Sequence, residues 1–185
     1  GTGEINSSRS SYAGIGLLQS FDKGKTWKNI GLTDSHHISK ILVNPKNSQE
    51  IVVGVAGHLY TKNKERGVFK TTDGGKSWQQ VLFVNDETGV IDMAVAESNF
   101  TVMYASAWQK DRKAHNFNGN GKASGIYKST DAGLTWQLIS TPESGFPSDE
   151  FVGRIGLSAF TSDIIYAVMD NQKMRPSAKK EKDPN

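Results

Sequence analysis

The chain has 185 residues, 22 lysines and arginines against 19 acidic residues, and no cysteine. The missing cysteine excludes a disulfide scaffold, a thiol nucleophile and cysteine-ligated zinc or iron–sulfur, and no apolar run reaches the ~18 residues of a membrane span. A net charge of +3 is too mild to mark a nucleic-acid surface, which shows as a clustered basic stripe.

In chain order, the first apolar run covers 14–18, followed by the polar turn Ser20-Phe21-Asp22-Lys23-Gly24-Lys25-Thr26-Trp27 and a second run over 27–32. Runs over 38–43 and 51–56 come next. Then a run over 67–70 leads into Thr71-Thr72-Asp73-Gly74-Gly75-Lys76-Ser77-Trp78 and a run over 78–84. The same order recurs: 90–95, 102–108, 125–128, the turn Ser129-Thr130-Asp131-Ala132-Gly133-Leu134-Thr135-Trp136, and 136–140. Runs over 155–157 and 164–169 close the series. Val, Ile and aromatic residues fill these runs and Asn, Ser, Asp and Gly separate them, which predicts strands. No window carries apolar period 3.6 over ten residues, so no helix is predicted.

The turn pattern is [Ser/Thr]-x-Asp-x-Gly-x-[Thr/Ser]-Trp, with 51 residues from Asp22 to Asp73 and 58 from Asp73 to Asp131. Four short strands per unit of about 50 residues is the size of a β-propeller blade. The expected organisation is all-β: a half blade at 1–32, blades at 33–84 and 85–140, a half blade at 141–170, and a polar loop or tail at 171–185. The opening Gly1-Thr2-Gly3-Glu4, without Met, reads as the start of a piece of something longer.

The motif residues are explained by turn chemistry. In Ser20, Asp22, Gly24, Thr26 and Trp27, in Thr71, Asp73, Gly75, Ser77 and Trp78, and in Ser129, Asp131, Gly133, Thr135 and Trp136, the carboxylate accepts from turn amides. The glycine takes positive φ, the hydroxyls bond neighbouring backbone, and the tryptophan packs between sheets. These aspartates are expected to be turn clamps and not catalytic acids or calcium ligands.

The three turns resemble Asp boxes, or bacterial neuraminidase repeats. With Glu65-Arg66-Gly67-Val68-Phe69-Lys70 and Gly89-Val90-Ile91-Asp92 beside them, the chain resembles the sortilin-type, glycosyl-hydrolase-like propeller proteins of bacteria. The resemblance implies a ligand-binding segment of a larger extracellular, periplasmic or cell-surface protein. Its expected partners are the remaining blades and a protein or carbohydrate ligand, with no cofactor and no nucleic acid. The alternatives are a glycoside hydrolase of sialidase or xyloglucanase character, and an assembly scaffold without a small ligand. The resemblance also places the ligand site on the face opposite the Asp boxes.

That face would carry the loops at 5–13, 31–37, 57–66, 85–89, 109–124 and 141–152. Candidate ligand-binding residues there are Arg9, Tyr12, His36, His37, His58, Tyr60, Trp108, Arg112, His115 and Phe117, since aromatic rings with cations and imidazoles suit a glycan or peptide groove. His36 and His37 are adjacent, and neighbours in an extended chain point apart. No zinc spacing accompanies them, so no metal is expected. Aligning the first strands places Lys40, Asp92 and Arg154 at one equivalent channel position, where Lys40 and Arg154 are further ligand-binding candidates, as cations for an anionic group. Asp92 is the weak candidate for an acid or base, weighed against a plain ion-pair network between blades.

Overall fold

The computed structural model describes residues 1–97 and 99–174. It contains β1 (Leu18–Gln19), β2 (Lys28–Asn29), β3 (Ile38–Asn44), β4 (Asn47–Val55), β5 (Gly67–Thr71), β6 (Gln79–Leu82), β7 (Thr88–Ala96) and β8 (Asn99–Gln109). These are followed by β9 (Asp111–Arg112), β10 (Phe117–Asn118), β11 (Gly125–Ser129), β12 (Gln137–Leu138), β13 (Val152–Ala159) and β14 (Ile165–Asn171). The only helical turns among the described residues are 3-10 turns at Thr33–Ser35 and Pro142–Ser144.

Two four-stranded antiparallel sheets, β3-β4-β5-β6 and β7-β8-β11-β12, are flanked by the two-stranded sheets β1-β2 and β13-β14. Each four-stranded sheet is a meander whose third and fourth strands are joined by an Asp-box turn. The architecture is a segment of a β-propeller, all-β as the sequence implies.

Alternation along the strands builds the core. In β4, Ile51, Val53 and Val55 face β1-β2 and pack with Leu17, Leu32, Ile38 and Phe69. The intervening Val52 faces the other way, joining Val68, Leu82, Val90, Met93 and Met103. In β8, Met103 and Ala105 belong to that layer, while Val102 and Tyr104 pack with Val152 and Ile155 of the next sheet. Period-two alternation of a strand apolar on both faces therefore fills successive interfaces between sheets. The core is a row of sandwich layers rather than one centre.

The structure differs from the sequence reading at strand ends. The outer strands β2 and β12 each span two residues, although single backbone bonds from Ile30 to Leu17 and from Ile139 to Ile126 continue their ladders. β7 and β8 run longer than expected and take in Thr88, Gly89 and Gln109. The loop at 109–124 is partly the hairpin β9-β10, pairing Arg112 with Phe117. Of the expected tail, residues 175–185 lie outside the described residues.

Candidate functional site on the loop face

The Asp-box turns lie beside the turns joining first to second strands. Gly74 donates its amide to Gln49 O and Ala132 donates to Thr101 O, both at 2.9 Å. The remaining loops gather at the other end of the sheets. Each box is closed internally. In the third, Thr135 donates from its amide (2.9 Å) and hydroxyl (2.6 Å) to the Asp131 carboxylate, which also accepts from Ser129 (2.7 Å). Ser129 Oγ in turn accepts from Gly133 N at 2.9 Å. Asp73 repeats this with Ser77 and Thr71, and Asp22 with Thr26 and Ser20.

Hydrogen bonds from Thr26 and Ser20 hold Asp22 down at about 2. For Asp131, burial pushes upward, and the bonds from Thr135, Ser129 and Leu134 outweigh it and hold the group at about 2. Asp73 lies well below the usual carboxylate range, led by its bond from Ser77. A carboxylate so saturated with donors is a clamp.

On the loop face, Arg66 is buried, and its guanidinium ties four carbonyls together. Nη1 donates to Ala56 O and Glu87 O, both at 3.2 Å, and Nη2 donates to His58 O (2.9 Å) and Thr61 O (2.8 Å). Burial lowers its pKa to about 10. This arginine fixes the loop at 57–66 against the one at 85–87.

Beside it lies Lys110, only 6% exposed, with no hydrogen-bond or ion-pair partner for Nζ among the described residues. Its ammonium sits 5.9 Å from the Trp108 ring centroid. Burial first, then the charges of Arg66 and Arg112, bring its pKa down to about 8. Lys110 and Arg66 line a pocket of about 150 Å³ with Tyr60, Thr61 and Leu59. Glu87 and Asp111 also border it, each paired to another lysine: Glu87 to Lys62 at 2.7 Å, Asp111 to Lys113 at 3.3 Å.

His37 is buried nearby, its Nδ1 meeting Gly57 O at 2.8 Å and its Nε2 left without a hydrogen-bond partner. Burial lowers its pKa, and the charge of Lys110 adds to that. A second pocket of about 290 Å³ is lined by Ser11, Ala13, His36, His37, His58, Leu59, Tyr60 and Thr61.

The structure brings most of the expected residues together here. Tyr60 donates its hydroxyl to Arg9 O (2.7 Å), and Arg9 reaches Ala114 O (3.5 Å). Arg112 donates to Ser7 O (3.0 and 2.8 Å) and lies 3.8 Å over the Phe117 ring. Trp108 packs edge-on against Phe117, with its indole N–H donated to Gly119 O at 2.6 Å. His36 stacks on His58, not on His37. Tyr12 stands exposed, and His115 lies exposed in the β9-β10 connection without a recorded partner. Sequence reasoning missed Lys110 as a site residue. Its alternation with the buried Trp108 in an apolar strand was the available signal.

The three channel charges separate. Lys40 pairs with Asp92 at 3.3 Å. Asp92 also accepts the amide of Leu157 from the next sheet (Oδ2, 2.9 Å) and its neighbour Met93 N (Oδ1, 2.9 Å). It therefore joins three successive sheets. Arg154 lies in the irregular stretch between the paired positions Val152 and Ile155, and its guanidinium sits 6.0 Å from the Trp108 ring centroid. The same register irregularity occurs at this point in β3, β7 and β13, so the three charges hold equivalent positions and separate only in their partners, with Arg154 near Trp108 instead of paired to a carboxylate.

Sheets of this form, with internally closed Asp boxes at one end and pocketed loops at the other, define an Asp-box β-propeller segment. The family model for sortilin, neurotensin receptor 3, matches residues 16–181. The chain belongs to this Sortilin-Vps10 family. Among solved structures, a GH74 enzyme from Niastella koreensis is similar at 16% identity and TM-score 0.54, over 86% of this chain and 24% of that one. An ancestral GH74 enzyme matches at 20% identity and TM-score 0.41, over 88% and 26%. The GH74 xyloglucanase from Xanthomonas campestris matches at 14% identity and TM-score 0.40, over 89% and 34%. The chain spans about a quarter to a third of the length of these proteins. No curated protein matches it.

Proposed function

We propose that this segment recognises a protein or glycan ligand through the loop face, and that Lys110 anchors an anionic group of that ligand. The carrying observation is Lys110, a largely buried side chain that lines a pocket and whose ammonium has no hydrogen-bond or ion-pair partner among the described residues. Burying a cation without a partner is costly, and an incoming carboxylate, sulfate or phosphate oxygen supplies the missing charge. Tyr60 lines the same pocket and Phe117 is partly exposed nearby, while Arg9 and Arg112 donate to the backbone carbonyls of Ala114 and Ser7. The proposed setting is extracellular, periplasmic or cell-surface, within a larger propeller.

The test is a glycan and peptide array probed with the intact protein, followed by titration of hits against Lys110→Gln. Acidic ligands are expected to weaken about 10–100-fold, as for loss of a charge-assisted hydrogen bond. Equal binding of acidic and neutral ligands by both proteins would overturn the anionic reading.

Against the hydrolase reading stands the engagement of Asp92, whose two oxygens accept backbone amides beside a lysine. Release of reducing sugar from polysaccharides and sialosides, abolished by Asp92→Asn in a protein that keeps its melting temperature, would restore that reading.

A further inference from the structure

We propose that Asp34, His36 and His58 form a binding site for one divalent transition-metal ion of the zinc or cobalt class. The three side chains come from the loop at 31–37 and the loop at 57–66, and their nearest ligand atoms all lie within 4.8 Å of one another. His58 Nε2 is 3.2 Å and His36 Nε2 3.9 Å from the same oxygen, Asp34 Oδ1. Donors about 2.0–2.2 Å from a tetrahedral ion stand somewhat over 3 Å apart, so the set closes when one of the two stacked imidazoles turns to bring its in-plane lone pair onto the ion.

The surroundings fit a cation. His58 Nδ1 lies 2.8 Å from Thr61 Oγ1. When Nδ1 carries the proton and donates it there, the Nε2 lone pair faces Asp34 Oδ1 and Asp34 O (3.0 Å). In the other tautomer Nε2–H donates to Asp34 and Nδ1 accepts from Thr61, so the ion-free site is satisfied by a proton that a bound cation would displace. A hydroxyl behind a ligating imidazole is also the usual way its tautomer and ring direction are set.

The local charge points the same way. Among the described residues no lysine or arginine pairs with Asp34 or Glu65. Glu65 Oε2 is buried without a hydrogen-bond partner. Two carboxylates beside two stacked imidazoles, 3.6 Å between centroids, leave this corner of a net-positive chain short of positive charge. His36 is aimed by an unusual backbone, φ 54 and ψ −43, which few non-glycine residues adopt. His36 and His58 both line the 290 Å³ pocket, so an oxygen donor entering it reaches the position the three protein ligands leave open.

The experiment is titration of the intact, chelator-treated protein with Co²⁺, followed by its visible d–d absorption, with Zn²⁺ as competitor. The expected result is one Co²⁺ per chain, displaced by Zn²⁺, with affinity reduced at least roughly tenfold in Asp34→Asn and His58→Ala. Metal-free melting temperatures verify that the variants fold. If His58→Ala does not fold, His36→Asn is the substitute, because asparagine tolerates positive φ. Absence of the band in the wild type with excess Co²⁺, or unchanged affinity in folded variants, overturns the site. Lys110→Gln is expected to bind Co²⁺ as the wild type does, so failure of anion recognition and failure of the metal site are told apart.

Discussion

The residue before each Asp-box glycine also turns left-handed. Lys23 has φ 62, Gly74 φ 73 and Ala132 φ 60, each preceding a glycine at φ 81 to 89. A side chain in this region costs about 1–2 kcal/mol, partly offset in the unfolded chain by its smaller entropy relative to glycine. Ala132→Gly is therefore expected to stabilise the fold by about 0.5–1 kcal/mol, read as a raised urea midpoint. The box aspartates set an acid limit. Their folded pKa values are depressed, so their contribution is full above the unfolded value of 3.8 and is lost as pH falls toward about 2 for Asp22 and Asp131. Urea midpoints measured from pH 5 to 2 should decline through that window, and less steeply in Asp131→Asn.

Between elements, single side chains fasten one sheet to the next. Lys70 is buried, bonded to Glu50 at 2.5 Å and to Ala132 O of the following Asp box at 2.7 Å. Lys70→Met alone leaves the half-buried Glu50 carboxylate with only Asn44 as a side-chain donor and is expected to cost about 1–3 kcal/mol. Lys70→Met with Glu50→Leu should recover most of that, and a double-mutant cycle of denaturation midpoints checks both values. Asp92→Ala removes the acceptor for Leu157 and the partner of Lys40, with an expected loss of about 1–3 kcal/mol. The Lys40–Asp92 pair was legible in the sequence because strand alignment alone puts the two charges level in neighbouring blades. The partner of Arg154 was not, because an alignment of strands levels backbone positions and does not show which ring or charge a long side chain meets. The pairing of His36 with His58 joins two loops 22 positions apart, whereas spacing compares only residues on one element. A lysine near a loop reads as solvated, and the alternation of Lys110 with Trp108 hints at its burial without showing the loops that cover it.

At the scale of the molecule, the repeat fixed the architecture early, since three Asp boxes at blade spacing leave little choice of fold. The two-stranded sheets at either side leave apolar surface open. Val168 is 75% and Tyr166 66% exposed on β14, with Phe160 and Ile164 beside them, and Phe21 and Trp27 stand out beside β1-β2. Such surface with a free strand edge promotes association. Residues 1–185 expressed alone are expected to self-associate, and Tyr166→Lys with Val168→Lys to reduce the scattering mass.

Trp78 differs from its counterparts in one contact. Trp27 and Trp136 donate their indole N–H to the glycine of their own box, whereas Trp78 donates to Ile30 O of the neighbouring sheet at 2.7 Å. Trp78 is thus a built-in optical gauge of the seam between the first two sheets. With the other three tryptophans replaced by phenylalanine, its emission should shift to the red as that seam opens. An opening that precedes the loss of β-sheet circular dichroism would reveal blades parting while each remains folded.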